Sequence, residues 1–271
     1  MNMLPPNTDT SRSDFFLVVG TGHCGTQWLS RVLHRPNDGI VCYHEEKVKL
    51  VSLNHAECLQ HELEKGVDDL YNGYFSFINN ELKTNSVVGD AHSWTMIMIP
   101  EVAAKQRIHK IIYLVRNGIQ VVHSFFYHNI DLPKDNVWYN EFLRKHWEIT
   151  GRPWNDWDKY TKWASWCLWW QVNLGMPLWL SSHLDTTEIL VYRLEDLLED
   201  THLLSDLIKK LSPFINLSHK DLKKLQRRDV NRKIQGDRSP SMLWTKWSDE
   251  QRNIFKQICS TTMEKYSYEI P

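Results

Sequence analysis

The sequence predicts an α/β fold, in which helices cover both faces of a central, mainly parallel sheet and so form a three-layer sandwich. Three observations lead to this prediction. Short apolar runs alternate with segments of helical periodicity along most of the chain. Several apolar runs end at a glycine or a polar cluster from which a helical pattern starts, as in βαβ units. The 271 residues are enough for one large domain with a sizeable core.

Five runs have the composition of buried strands, and the clearest of them is "KIIYLV" at residues 110–115. In chain order the predicted strands are Phe15–Val19, Gly39–Tyr43, Ser86–Val88, Lys110–Val115 and Thr187–Tyr192. Helical patterns fill the intervals between them. The predicted helices are Gln27–Leu33, Glu46–Ile78 with a break near Gly66, Pro100–Arg107, Ile119–His128, residues 194–211, and a last one from about Asp249. We expect residues 15–271 to form a single domain after a loose polar tail, residues 1–14.

The overall charge and the cysteines exclude several classes of partner. The 32 basic residues nearly balance the 33 acidic ones, which argues against nucleic acid or an anionic membrane surface as a partner. The five cysteines are odd in number and form no Cys-x-x-Cys pair, which argues against structural zinc and fits a reducing compartment. No apolar run is long enough to span a bilayer, so we expect no membrane contact and a cytoplasmic location.

Tryptophan is unusually frequent, and nine of the thirteen lie between residues 138 and 179. Trp163, Trp166 and Trp170 recur at the spacing of one helical face, which is typical of a core stripe. We expect the segment 131–180 to be a Trp-rich insertion, part helix and part lid, near a substrate site.

Other tryptophans of this segment lie in polar sequence of no clear period, beside carboxylates. These are Trp138, Trp147, Trp154 and Trp157. Aromatic rings beside carboxylates can form a binding site for a planar or cationic small molecule. They can equally anchor a lid, and the sequence leaves both interpretations open.

The stretch "FLVVGTGHCGTQWL", residues 16–29, joins the first predicted strand to the first predicted helix. Gly20 and Gly25 have the spacing of a phosphate-binding loop, in which backbone N–H groups and a helix N-terminus face an anion. A nucleotide triphosphatase needs Lys and then Ser or Thr after the second glycine, whereas Thr26 and Gln27 follow it here. The loop predicts an anion site for something other than a triphosphate, or else a Gly-rich turn that binds nothing.

A second candidate anion site follows the clearest strand, in "KIIYLVRNGIQVVHSFFYH". Arg116 comes directly after the strand, and Ser124 lies eight residues later, about two helical turns on. A guanidinium fork and a hydroxyl together suit the oxygens of a phosphate group. The alternative makes Arg116 a helix-cap ion pair and gives Ser124 no role.

These two loops and three further stretches, in the same order, resemble the 3′-phosphoadenylyl-sulfate (PAPS)-dependent sulfotransferase family. Residues 20–28, "GTGHCGTQW", resemble its 5′-phosphosulfate loop, and residues 116–124, "RNGIQVVHS", resemble its 3′-phosphate motif with the Arg-to-Ser spacing intact. "VYRLEDLLED", "NRKIQGD" and "MEKYSYE" resemble a strand end, the segment that closes over the 3′-phosphate, and the end of the C-terminal helix. The resemblance covers most of the chain and implies the P-loop-like sulfotransferase architecture.

The resemblance further implies PAPS as donor, adenosine 3′,5′-bisphosphate (PAP) as product, and no metal. It gives nucleotide-binding roles to Gly22, His23, Cys24, Gly25, Thr26, Gln27, Arg116, Ser124, Arg232 and Lys233. His23 departs from the family pattern, because it stands where the family has the Lys or Arg that stabilises the leaving phosphate. An imidazole can still donate a hydrogen bond, and it brings charge when protonated. Trp28 is expected either to stack on adenine, as an aromatic does in this family, or to pack in the core.

Two residues compete for the role of catalytic base. His92, in "GDAHSW", lies at a strand end 24 residues before Arg116 and matches the histidine that accepts the acceptor's proton in the cytosolic branch. Asp90 stands where that branch has Lys, and could orient His92 or meet a cationic acceptor. Glu45, in "YHEE", is the rival, because other branches use a Glu after the second strand. We favour His92.

The sequence supports an enzyme that sulfates a hydroxyl or amine of a small molecule, of which a cationic or aromatic one would suit the site. Two alternatives stay open. His23 and Asp90 also fit a sulfotransferase-like module that binds PAP without catalysis. A small-molecule kinase on the same loop architecture is less favoured, since the Lys and the Mg²⁺ ligands of that class are missing. The sequence does not decide the oligomeric state.

Overall fold

The structure of the protein is a computed structural model that describes residues 14–44, 64–93, 99–128, 162–213, 215, 217–227 and 239–271. Five strands form one sheet. They are β1 (Asp14–Gly20), β2 (Ile40–His44), β3 (Val87–Ala91), β4 (Lys110–Val115) and β5 (Glu188–Arg193). Their order across the sheet is β2-β3-β1-β4-β5, and all four pairings are parallel. The register sets Val18 of β1 beside Ala91 of β3 and Ile112 of β4, so these three strands end at one edge of the sheet.

Helices connect the strands and follow the last one. They are α1 (Thr26–Leu33), α2 (Glu64–Leu82), α3 (Ile99–Lys105), α4 (Gly118–Tyr127), α5 (Lys162–Asn173), α6 (Met176–His183), α7 (Leu194–Glu199), α8 (Thr201–Leu211), α9 (His219–Arg227), α10 (Pro240–Thr245) and α11 (Asp249–Lys265). Side chains define several of their starts. Asn117 caps α4 through the N–H of Ile119, and Ser248 with Gln251 forms a capping box at α11.

The strands are apolar at almost every position because both faces of the sheet are buried. Phe15, Leu17 and Val19 point to a large cluster with α2 to α6, α10 and α11. Phe16 and Val18 point to the opposite cluster, with α1, α7, α8 and α9. The predicted three-layer α/β fold with a central parallel sheet is therefore confirmed.

The structure confirms the five predicted strands and refines two helices. Residues 194–211, predicted as one helical stretch, form α7 and α8, because Asp200 leaves the helical conformation and its carboxylate caps α8. The described part of the predicted helix Glu46–Ile78 is α2, which includes Gly66 and runs on to Leu82, whereas residues 46–63 lie outside the described residues. In the described part of the chain, no helix combines the length and apolarity that crossing a membrane requires.

Candidate active site

The loop between β1 and α1 has a backbone suited to an anion. Gly22, His23 and Gly25 all have positive φ, of 81°, 49° and 94°. A left-handed residue within a turn directs neighbouring N–H groups to one side, which makes a concave anion-binding nest. Gly25 is also the N-cap of α1 and has no side chain with which to cap that first turn. The loop and the start of α1 therefore present backbone donors together.

Two glycines of this loop are required by their surroundings as well as by their φ angles. A Cβ atom on Gly22 would come within 2.6 Å of the Phe125 ring. One on Gly25 would come within 2.7 Å of the Leu194 side chain. The loop is thus packed against α4 on one side and against α7 on the other.

Arg116, at the end of β4, joins the second predicted anion loop to the first. Its Nη1 donates to the carbonyl oxygen of His23 at 2.7 Å, and its Nε donates to Oε1 of Gln120 at 3.2 Å. Its own carbonyl accepts from the indole of Trp170 at 3.1 Å. The guanidinium is therefore fixed directly beside the loop.

The His23 ring lies against α4. Its Nδ1 is 3.0 Å from Oγ of Ser124, and the ring meets Phe125 edge-on with centroids 4.5 Å apart. The ring of His128 is 5.7 Å away. Partial burial, followed by the positive charges of His128 and Arg116, lowers the pKa of His23 to about 4. The imidazole is therefore neutral at pH 7.

Cys24 is inside the loop but is a structural residue. Its side chain is fully buried, and burial raises the pKa of the thiol. Hydrogen bonds with the backbone at Gly22 and Thr26 and with the side chain of Ser93 act against this shift without cancelling it. A buried thiol of raised pKa is not a nucleophile, so Cys24 helps to shape the loop.

Asp90 and His92 lie at the end of β3, on the same sheet edge as the loop. The backbone N–H of His92 donates to Val18 of β1 at 2.9 Å. Both residues are buried, with exposed fractions of 3% for Asp90 and 2% for His92. Oδ2 of Asp90 accepts the hydroxyl of Tyr74 on α2 at 2.9 Å. Burial and then the nearby carboxylate raise the pKa of Tyr74 well above its usual value, so Tyr74 remains the donor of this pair.

Tryptophans of α5 hold both anion loops by their backbone. Trp169 donates from Nε1 to the carbonyl oxygen of Thr21 at 2.9 Å, one residue after β1. Nε1 of Trp170 likewise donates to the carbonyl oxygen of Arg116. Both indoles are buried, so these hydrogen bonds are shielded from water.

A third connection supports the second loop from the C-terminal side. Oε1 of Glu195 accepts the backbone N–H of Asn117 at 3.1 Å, and Oε2 accepts the hydroxyl of Tyr268 at 2.7 Å. The guanidinium of Arg193 lies over the Tyr268 ring, 4.4 Å from its centroid. The residue after Arg116 is therefore fixed by groups from α7 and from the segment after α11.

A surface cavity of about 380 Å³ lies beside the first loop, between α1 and β2. Its walls include Gln27, Ser30 and Arg31 from α1 and Tyr43 and His44 from β2. Nε2 of His44 is 3.4 Å from the hydroxyl oxygen of Thr26. The cavity therefore adjoins the first helical residue of the loop.

Comparison with known proteins decides the family. The family model of the sulfotransferase domain matches residues 13–257, which include both loops and all five strands. The chain belongs to the sulfotransferase domain family. The family is one of transferases, and the resemblance seen in the sequence is thereby confirmed.

Solved sulfotransferase domains share the fold of this sulfotransferase. The sulfotransferase domain from the curacin biosynthetic pathway is 14% identical, with a TM-score of 0.51 over 96% of this chain and 99% of that one. The sulfotransferase domain of the olefin synthase from Synechococcus PCC 7002 is 13% identical, with a TM-score of 0.54 over 100% of both chains. No curated protein sequence matches the chain.

Most of the residues that the sequence predicted for the site of this sulfotransferase lie in the described part of the chain, Asp90 and His92 at the end of β3 among them. Residues Gly22 to Gln27 form the loop and the start of α1, and Arg116 and Ser124 both contact His23. Trp28 lies in the core with an exposed fraction of 5%. The remaining predictions concern residues outside the described part of the chain: Glu45, Trp138, Trp147, Trp154, Trp157, Arg232 and Lys233. The described residues contain no group of three or more His, Cys, Asp or Glu side chains placed to hold a metal ion.

Sequence reasoning missed the residues that support the loops of this sulfotransferase. Trp169 lies one position before Trp170, the last residue of the predicted core stripe, and was not part of that stripe. Glu195 lies in the stretch "VYRLEDLLED", in which the sequence indicated no role for this residue. The contact of Tyr268 with Glu195 joins positions 73 apart. His128 follows Ser124 by one helical turn, and that i, i+4 spacing was a signal that could have found it.

Proposed function

We propose that this sulfotransferase uses PAPS as its donor and transfers the sulfuryl group to a hydroxyl or amine of a small-molecule acceptor. The contact between the two anion loops carries the proposal. Arg116 binds the His23 carbonyl at 2.7 Å, and Ser124 lies 3.0 Å from the His23 ring. A donor with phosphate groups on both the 5′ and the 3′ side would meet both loops at once. ATP has no group for the second loop.

The described residues fit such a donor. The nest of Gly22 to Gly25 and the start of α1 provide N–H groups for the phosphosulfate. Arg116 and Ser124 provide a cation and a hydroxyl for the 3′-phosphate. The buried indole N–H of Trp28 has no hydrogen-bond partner among the described residues, so the first turn of α1 keeps an unsatisfied donor. In the proposal, Arg232 and Lys233 add cations to the same phosphate.

When bound, PAPS supplies a sulfuryl group that is activated for in-line displacement at sulfur by its phosphate leaving group. The chain aligns the acceptor, removes its proton and stabilises the charge that develops on the leaving oxygen. The backbone N–H of Gly25 holds the 5′ side of the donor, which Thr26 and Gln27 line. His23 donates to the leaving phosphate in place of the Lys or Arg that the family uses.

The acceptor's proton goes to His92 or to Glu45. His92 follows β3 and lies at the sheet edge that carries the loop, which favours it as the base. The acceptor is a small molecule, and cationic or aromatic ones would suit Trp138, Trp154 and Trp157. Asp90 is bonded to Tyr74 inside the fold, and we propose that it positions the end of β3 and makes no contact with the acceptor.

A second candidate function is a PAP-binding module without catalysis. One observation favours it: His23 has a pKa of about 4, so the position of the family cation is uncharged at pH 7 in the protein alone. Such a module would bind PAP and transfer nothing. Measuring PAP binding and sulfuryl transfer separately distinguishes this module from an active enzyme.

The experiment measures binding and transfer separately. Thermal shift with PAP and with ATP tests the donor class, because a ligand that binds only the folded state raises Tm. Transfer is then followed with PAPS labelled in its sulfuryl group and a panel of hydroxyl and amine acceptors. For H92Q and E45Q we expect PAP binding to be retained, and the base is the residue whose variant loses turnover. Stabilisation by ATP and not by PAP would refute the proposal, and PAP binding without transfer to any acceptor would favour the module.

A further inference from the structure

The surroundings of Ser124 contain two imidazoles where the 3′-phosphate motif needs only a hydroxyl. Nδ1 of His23 lies 3.0 Å from Oγ of Ser124 on one side. Nδ1 of His128 lies 3.5 Å from the same Oγ and 2.6 Å from the Ser124 carbonyl oxygen on the other. The two rings are 5.7 Å apart, at an interplanar angle of 35°. Ser124 therefore lies between two titratable side chains, and both histidines, His23 and His128, are exposed to solvent.

The hydrogen bonds fix the state of His128. A carbonyl oxygen only accepts, so Nδ1 of His128 must carry a proton to contact the Ser124 carbonyl at 2.6 Å. The second ring nitrogen, Nε2, is then the one that gains a proton when the ring becomes charged. His128 is the C-cap of α4, so it follows the helix that carries Ser124.

We propose that His23 and His128 form a protonatable pair around Ser124, so that this sulfotransferase binds the 3′-phosphate of its donor with uptake of a proton. His128 is then a further residue of the phosphate site. This inference rests on the proposed use of PAPS. It concerns how the phosphate is recognised, and it is independent of which residue acts as the base.

The charges around the pair explain why phosphate and proton arrive together. From the described elements packed on His23, the charged or titratable side chains that face it are Arg116 at the end of β4 and His128 after α4. Phe125 adds a neutral ring, and Ser124 a hydroxyl. Partial burial first, and then repulsion from His128 and from the permanently charged Arg116, keep the pKa of His23 low, at about 4. A phosphate dianion between these groups reverses the sign of the local field and favours the imidazolium.

A protonated His23 has two N–H donors where the neutral ring has one. Nδ1 keeps its place on the Ser124 side, and Nε2 becomes a donor for the leaving 5′-phosphate. Binding of the 3′-phosphate thus charges the position that the family fills with a permanent cation. A Lys there would carry its charge without a proton from solution, so the coupling is specific to a histidine.

The test is isothermal titration of the full chain with PAP at pH 7.0, in buffers of different ionisation enthalpy. The slope of binding enthalpy against ionisation enthalpy gives the number of protons taken up. At this pH a phosphate monoester is mostly dianionic already, because its second pKa is about 6, so the slope reports mainly on the protein. We expect the wild type to take up about one proton.

Three variants localise the proton. H23K should bind PAP with most of the uptake lost, and H23N, whose side chain tolerates positive φ, should lose the uptake and also bind more weakly. H128N keeps a donor for the Ser124 carbonyl but lacks the titratable Nε2, and we expect about 5- to 20-fold weaker PAP binding. H183N is the matched control, because Nδ1 of His183 contacts the carbonyl oxygen of Trp179, four residues earlier, at 2.9 Å, at the end of a different helix. It should bind PAP like the wild type.

The outcomes separate this inference from the proposed function. The inference is refuted if PAP binds with no proton uptake, or if H23K and the wild type take up the same number of protons. Either result would mean that the two histidines do not link phosphate binding to proton uptake. In that case PAPS remains the proposed donor. If PAP does not bind at all, the proposed function fails, and this inference fails with it.

Discussion

The indole N–H of Trp169 donates a 2.9 Å hydrogen bond to the carbonyl oxygen of Thr21, at the point where β1 gives way to the anion loop. The two residues are 148 positions apart in the chain. This hydrogen bond connects the Trp-rich helix α5 to the backbone of the loop that follows β1. The frequency of tryptophan in this chain thus has a direct use in positioning the loop, besides filling the core.

Replacing Trp169 by Phe removes this hydrogen bond and keeps an aromatic ring. We expect a loss of about 1–3 kcal/mol in the free energy of unfolding, since a buried carbonyl loses its donor. PAP should bind several-fold more weakly, because the loop is less well fixed. W163F is the matched control: Trp163 donates to the carbonyl oxygen of Gln251 at 3.0 Å, away from the loop. It should lower stability without changing the PAP Kd, and equal effects on Kd would contradict the role of Trp169.

Gly25 should not tolerate even a methyl group. In G25A, positive φ costs about 1–2 kcal/mol, and the added Cβ would press on Leu194, so we expect a fall in Tm and loss of PAP binding. Gly73, on α2, is the control, because a Cβ added there would meet no atom within 4 Å. In G73A the added methyl group should raise stability, by up to about 1 kcal/mol. Thermal unfolding and titration with PAP measure both effects, and a G25A variant with normal Tm would refute the steric argument.

The pKa of His23 predicts a pH dependence of stability. The value of about 4 in the folded protein lies below the ordinary 6.5, so the unfolded chain binds more protons between these pH values. The contribution of His23 to stability therefore falls as the pH is lowered from 6.5 to 4. In H23N this part of the slope should vanish. Urea unfolding of both proteins from pH 4.5 to 8 measures it. The two stability curves should converge or cross below pH 6.5 and run parallel above pH 7, and parallel curves throughout would contradict the prediction.

The hydroxyl of Tyr74 should contribute to stability, because it is buried and donates to a buried carboxylate. Y74F removes one donor from Asp90, and we expect a cost of about 1–3 kcal/mol in the free energy of unfolding. Y43F removes a similar bond, 2.7 Å long, from the half-buried Glu81, where water can replace the donor. It should cost less than about 1 kcal/mol. Urea denaturation compares the two, and equal costs would mean that Asp90 is satisfied by its other contacts.

The elements of the fold could be predicted from the sequence because buried parallel strands are apolar at nearly every position. Leu17 and Val18 face opposite layers, yet both are fully buried. The interruption between α7 and α8 was missed, because the apolar spacing continues past Asp200 and only the cap marks the break.

The two candidate anion loops could be located in the sequence because each has a local spacing of its own. Their contact was not, since the bond between His23 and Ser124 joins positions 101 apart. The same holds for Glu195, whose two oxygens serve Asn117 and Tyr268 from distant parts of the chain. Long-range hydrogen bonds depend on the order of strands in the sheet, which local patterns do not specify.

The position of α11 affects how the chain folds as it is made. Phe255, Cys259 and Met263 fill the same cluster as the inward residues of β1, and the segment that contains them is synthesised after all five strands. On the ribosome, one face of the five-stranded sheet therefore stays partly uncovered until α11 is made, whereas the residues that cover the other face have all been synthesised by then. Ribosome-bound nascent chains stopped before residue 249 should accordingly expose this face to chaperones.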